Sequence, residues 1–314
     1  MRAISYRDSE KPLFLALLMA VSCTSKKQNA PTNQQAKPTE YRFTVPEIPL
    51  MISNPKHQTN YLAEHYWDNF DFTDSIDLEL KKVIEEAFVE YLMILGEVEN
   101  SLASKSISSL MERASGNNKL LMYYTNSAEK FLFHPNSPIR DEFLYEEFLI
   151  GILASESVDP ISKARFQYQF DFAQKNKPGT KAIDFEYFLK DGTSSSLYKT
   201  QGEYTMVYFH NPDCHECAVT KDRIENSKII QELYNSGVLK ILAVFPDKDL
   251  DLWNKHYADF PDNWINAYDK ETVIQDQELY DLKAIPTIYL LDSKKIVILR
   301  DPIFEEFEEF LSSL

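Results

Sequence analysis

Apolar residues recur along this chain with two different periods, and the change falls past its middle. Leu80, Val83, Ile84, Ala87, Phe88, Tyr91, Leu92 and Leu95 recur at i, i+3 and i+4, the spacing that lines one face of a helix. A second helical run covers Ser101 to Met111 and is closed by Ser115-Gly116-Asn117-Asn118; a third covers Lys119 to Phe133 and ends before Pro135. A fourth begins near Pro138 and carries Phe143, Leu144, Phe148, Leu149 and Ile150. The fifth, Pro160 to Gln174, carries Phe166, Tyr168, Phe170 and Phe172, whose alternation suits a strand as well as a helix. Short polar breaks between these runs predict an all-α domain over residues 46–178 with antiparallel neighbours. Pro46, Pro49 and Pro55 mark its lead-in.

From Lys181 onwards, strands alternate with helices. Ile183 to Leu189 reads as a strand, followed by an Asp191-Gly192 turn and a second strand over Ser195 to Tyr198. YTMVYF, Tyr204 to Phe209, and LKILAVF, Leu239 to Phe245, are the nearly continuous apolar runs of strands buried on both faces. Between them a helix is predicted from Cys214 to about Asn235, and another follows from Leu250 to Tyr257. Strands over Thr287 to Leu291 and Ile296 to Leu299 lead into a closing amphipathic helix. Asp301 is expected as its N-cap and Pro302 as its first residue, with Phe304, Phe307 and Leu311 facing inward. Residues 179–314 therefore read as an α/β domain.

The first forty residues follow neither period. Arg2, Arg7 and Lys11 precede PLFLALLMAV, Pro12 to Val21, which is too short to span about 30 Å of hydrocarbon as a helix but suits the apolar centre of a signal peptide. Leu18-Met19-Ala20-Val21-Ser22-Cys23 resembles a bacterial lipobox, although Asp8 and Glu10 are unwelcome ahead of it. The resemblance implies removal of residues 1–22 and a diacylglycerol on Cys23. Ser25 to Glu40 holds no aromatic and no branched aliphatic residue, so residues 23–45 read as a flexible tether. The expectation is a lipid-anchored protein of the bacterial cell envelope facing the periplasm, where disulfides are permitted. No later segment reads as a membrane span.

Composition narrows the chemistry. Seven glycines in 314 residues supply neither G-x-G-x-x-G nor G-x-x-x-x-G-K-[ST], which excludes those nucleotide cradles. A net charge of −16 makes nucleic acid a poor partner. Three cysteines are too few for a disulfide-stapled scaffold. Their positions matter more. Cys214-His215-Glu216-Cys217 stands between a buried strand and the start of a helix, where unpaired backbone N–H groups and the helix dipole favour negative charge. The thiolate is the attacking species, so Cys214 is the expected nucleophile. Cys217, nearly a turn later, is placed to resolve a mixed disulfide.

About seventy residues downstream comes Leu279-Tyr280-Asp281-Leu282-Lys283-Ala284-Ile285-Pro286-Thr287. It resembles the cis-proline loop of the thioredoxin superfamily, and the opening strand, the Asp191-Gly192 turn and Tyr268-Asp269 resemble its TlpA-like envelope branch. The resemblance implies that Pro286 lies against the cysteine pair and that the Ile285 backbone holds an incoming substrate strand. It also implies a thiol-disulfide oxidoreductase without bound cofactor or metal, acting on protein disulfides and recharged by an upstream thiol donor. Glu64 to Phe72 similarly resembles the start of a helical domain of unknown function found ahead of such domains in bacterial envelope lipoproteins. This sequence departs from the pattern in three places. Asp213 replaces the usual Trp, His215-Glu216 lacks the usual Pro, and Tyr208 stands where thioredoxin carries its buried acid. Asp213 and Glu216 disfavour a thiolate, whereas a protonated His215 and the helix terminus favour it; the balance leans to a reductase.

Three rivals follow from the same residues. Zinc would draw on Cys214, Cys217 and His210 or His215, but the chain has no second C-x-x-C or H-x-x-x-H. Peroxidase chemistry wants Thr or Ser where Asn211 stands. A structural disulfide in a partner-binding lipoprotein is the non-catalytic alternative. His65, flanked by Glu64 and Asp68, lacks the second histidine of a metal helix and reads as part of an aromatic core.

Overall fold

The computed structural model describes residues 43–73 and 78–314. The expected signal peptide, Cys23, most of the tether and the Leu80 side chain lie outside the described residues.

The helical half comprises α1 (Pro55–His65), α2 (Leu78–Leu95), α3 (Asn100–Ala114), α4 (Asn118–Ala128), α5 (Glu142–Ala154) and α6 (Pro160–Ala173). Pro55 is not part of a lead-in. It opens α1, where its missing N–H costs nothing, and the Asn54 side chain caps the helix by accepting from His57 N at 3.3 Å. The run expected to continue to Phe133 leaves α geometry at Glu129 for a π-turn, Glu129–Phe133. The segment after Pro138 is not helical until Asp141 caps Leu144 N at 2.9 Å. In α6 the alternation does not mean a strand. Asp159 accepts from the amides of Ile161 and Ser162, Pro160 follows as first residue, and Tyr168 lies on the exposed side. The cap outweighs the period-two pattern. Gly151 allows α5 to approach α3, since a Cβ there would stand 2.7 Å from the Met111 side chain. The core is rich in aromatics: Tyr66, Trp67, Phe88, Tyr91, Tyr124 and Phe148 are all buried.

The second half is a seven-stranded mixed sheet, with β1 (Glu186–Phe188), β2 (Ser194–Ser196), β3 (Tyr204–Phe209), β4 (Leu239–Phe245), β5 (Ile265–Tyr268), β6 (Thr287–Asp292) and β7 (Val297–Arg300) in the order β2-β1-β5-β4-β3-β6-β7. β3, β4 and β5 run parallel, and β6 returns antiparallel to β3. One sheet face packs on Phe185, Ile274 and Tyr280; the other packs on Ile224, Ile230, Phe307 and Leu311. The single helix expected from Cys214 to Asn235 is two, α7 (His215–Asn226) and α8 (Lys228–Asn235). Ser227 takes an extended backbone and caps the second of them, a position its hydroxyl favours over a helix interior. After α9 (Leu250–His256) and α10 (Val273–Asp276), the chain closes with α11 (Phe304–Ser312). Asp301 is not its N-cap; Ile303 is. Asp301 instead adopts a left-handed φ of 45° and gives its carboxylate to Arg140, at 2.7 Å.

That pair belongs to a polar seam between the two halves. Arg140 also holds Glu142 at 2.6 Å, and the Arg300 guanidinium donates to the carbonyls of Ala173 and Lys175 at 2.8 and 3.0 Å. Asn176 donates to Leu279 O and accepts from Ile183 N, both at 2.8 Å. Among the described residues no helix is long and apolar enough to cross a membrane.

Candidate active site

Strand register brings the two sequence motifs together. Phe209, the last residue of β3, pairs with Val244 of β4 on one side and Thr287 of β6 on the other. The loop leaving β3 and the loop entering β6 therefore share one end of the sheet, at the carboxyl ends of the parallel strands, the edge where open α/β sheets place their sites.

The loop leaving β3 is a turn stabilised by Asn211, whose side chain accepts from Asp213 N at 2.9 Å and whose carbonyl accepts from Cys214 N at 3.0 Å. Such turns are the ordinary use of Asn. The turn delivers Cys214 to the N-cap of α7, where its Sγ accepts from Cys217 N at 3.2 Å. The Ile285–Pro286 peptide is cis, and the Cys214 Sγ lies 3.5 Å from Ile285 O. Thr287 is buried and its hydroxyl donates to Ala284 O at 2.6 Å, closing the loop. Both cysteines are free thiols.

The two sulfurs occupy different surroundings. Cys214 is half-buried; Cys217 is buried, and its Sγ lies 3.5 Å from Asn211 N. Burial pushes the Cys217 thiol far up, and the neighbouring Cys214 and Glu216 push it in the same direction. His215 and Glu216 are exposed on the first turn of α7. Of the expected site residues, Cys214, Cys217, Ile285, Pro286 and Thr287 gather at this end of the sheet, while His215 and Glu216 form its solvent edge.

A family profile described as thioredoxin-like matches residues 202–297, and one described as a domain of unknown function (DUF5106) matches residues 22–176. The crystal structure of a thioredoxin-like protein from Bacteroides caccae is 39% identical, covers 86% of this chain and 98% of its own, and superposes with a TM-score of 0.82. The chain belongs to the thioredoxin-like family. That relative spans both halves of this chain. The C-terminal domain of an uncharacterized protein from Bacteroides fragilis is 44% identical over 44% of this chain and 98% of its own, TM-score 0.43. A conserved protein of unknown function from the same species is 35% identical over 43% and 98%, TM-score 0.42. No curated protein matches the chain.

Within the thioredoxin-like frame, Tyr208 is buried and donates its hydroxyl to Cys217 O at 2.6 Å. It braces α7 against β3. Behind Cys217 lies a cavity of about 80 Å³ that sequence reasoning missed, lined among others by His210, Lys221, His256 and Asp259. His210 entered the sequence reading only as a zinc candidate, and His256 not at all. The one signal for His256 was the His256-x-x-Asp259 spacing, which His65 and Asp68 share. Among the described residues no three His, Cys, Asp or Glu side chains are grouped to hold a metal ion.

Proposed function

We propose that this protein is a thiol-disulfide oxidoreductase that reduces disulfides of envelope proteins, with Cys214 as nucleophile and Cys217 as resolving thiol. The observation that carries this reading is the Cys214 sulfur, half-buried at a helix N-cap, receiving the Cys217 amide at 3.2 Å and lying 3.5 Å from Ile285 O. A client chain laid beside Ile285 would bring its disulfide onto that sulfur. The Cys214 sulfur attacks the client disulfide and displaces one client thiolate. Cys217 then bonds Cys214 and displaces the second, leaving a Cys214–Cys217 disulfide for an upstream thiol donor to reduce. The unequal burial of the two sulfurs suits attack followed by resolution better than a structural bridge. Anchoring through a lipid on Cys23 and a periplasmic setting belong to the same proposal.

The test is insulin reduction with a thiol donor, run beside C214S and C217A. Wild type is expected to turn over, C214S to stop at background, and C217A to accumulate clients as mixed disulfides. Wild type at the C214S rate would end the proposal. Redox titration of the pair tests the direction, and a strongly oxidising potential, about −120 mV, would contradict reduction.

A further inference from the structure

Resolution requires Cys217 to lose a proton, yet burial holds it in the thiol form. Tyr208 does not take that proton, because its hydroxyl is a donor to Cys217 O. The cavity behind Cys217 holds better candidates. His256 stands at the end of α9 with Nδ1 bonded to Asp259 Oδ2 at 2.7 Å. A carboxylate there makes Nδ1 the protonated nitrogen and leaves Nε2 as an acceptor. That Nε2 is buried without a hydrogen-bond partner, and His256 lines the same cavity as Cys217. His210, fully buried on Tyr208 and Phe260, also lines it with both ring nitrogens unpartnered. A volume of about 80 Å³ exceeds the roughly 10–15 Å³ of accessible space that one water needs.

We propose that His256, oriented by Asp259, accepts the Cys217 proton through a water held in this cavity. The inference rests on the oxidoreductase reading above. His210 positions the water and does not carry the proton, since burial pushes its imidazole down to about 3 and makes a cation there costly. Lys221 of α7 also faces the cavity, paired with Glu225 at 2.8 Å and Asp222 at 3.7 Å. In the step itself, the Cys217 S–H bond breaks and its proton passes through the water to His256 Nε2. Cys217 Sγ bonds Cys214 Sγ, the Cys214–client S–S bond breaks, and the client sulfur leaves with the electron pair. The imidazolium then returns its proton to solvent.

Reduced protein mixed with 5,5′-dithiobis(2-nitrobenzoate) reports the two sulfurs separately. Attack by Cys214 releases the first nitrothiobenzoate, and resolution by Cys217 releases the second. In H256Q the first phase is expected to keep its rate, while the second slows on the order of 10²–10⁴-fold at pH 7, the usual worth of a positioned base. Hydroxide rises tenfold per pH unit, so the deficit should shrink towards pH 10. D259N, which removes only the orienting charge, should give a smaller slowing with the same trend, and it keeps the test open if H256Q misfolds. A second phase within twofold of wild type overturns the relay. So does a slowing by the same factor at every pH, which marks a structural role. If wild type itself shows no first phase, the oxidoreductase reading falls and takes the relay with it.

Discussion

Two histidines in this molecule bond the aspartate three residues on, one in each half. His65 Nδ1 meets Asp68 at 2.8 Å, and His256 Nδ1 meets Asp259 at 2.7 Å. The local geometry is the same, and the surroundings differ. Asp68 is shared with Arg113 at 3.2 Å, the His65 ring lies against Tyr61, and the His65 side chain is 40% exposed. This dyad helps tie the end of α1 to α3. His256 turns a buried, unpartnered nitrogen towards a cavity that a cysteine also lines. A His-Asp pair is therefore a motif without a fixed role. What stands opposite its second nitrogen decides whether it braces a fold or moves a proton.

The largest effect expected from perturbing either half is at the seam that joins them. Arg140 touches both Asp301 and Glu142, each about a quarter exposed. R140A leaves two carboxylates without their shared partner, although Arg300 stays near Glu142, at 3.3 Å. Charge-assisted bonds of this kind contribute about 1.5–3 kcal/mol each, and partial exposure lowers that, so a loss of about 2–3 kcal/mol is expected in urea unfolding. If both halves then melt in one transition, the contrast drawn above is between parts of a single cooperative unit. Separate transitions would make each half independently stable.

What the sequence disclosed depended on how local the cause was. β3 and β4 were readable to the residue, because continuous apolar runs between turn residues have few other solutions. The position of Cys214 at a helix start was equally plain, since strand, turn and helix lie within a few residues. β5 was missed because Asn266 interrupts its apolar pattern, and only the fold shows why it is there: its side chain accepts from the buried Trp253 indole at 3.1 Å. The start of α11 was misplaced because Asp301 serves Arg140, 161 residues away in sequence. The cavity behind Cys217 was illegible for the same reason. His210 leaves β3, His256 ends α9, and only the parallel pairing of β3 with β4 brings them to one place.

A second, somewhat smaller effect separates the halves by pH. His210 is fully buried, and burial pushes its imidazole down to about 3, against about 6.5 for an unperturbed histidine. Below the ordinary value the unfolded chain takes up a proton that the folded one refuses, so stability falls as pH drops from about 6.5 towards 3. Between pH 7 and pH 5 this one group is expected to cost about 2 kcal/mol. H210F should remove that part of the acid slope, read from urea midpoints at both pH values. An unchanged slope would mean that His210 takes up its proton as readily in the folded protein as in the unfolded chain, which would make its neutral imidazole a rival to His256 for the Cys217 proton near pH 7.

The smallest effect belongs to the other dyad, and it bears most directly on the contrast. H65Q removes a partly exposed His65–Asp68 contact, and exposed polar pairs of this kind contribute about 0.2–1 kcal/mol. Its urea midpoint should shift accordingly, with both phases of nitrothiobenzoate release unchanged at every pH. Slowing of the second phase in H65Q would mean that the helical half reaches the cysteine pair through the seam, and the two dyads could not then be assigned to separate tasks. A phase left untouched by H65Q but slowed by H256Q locates proton transfer at the one histidine whose open nitrogen shares a cavity with Cys217.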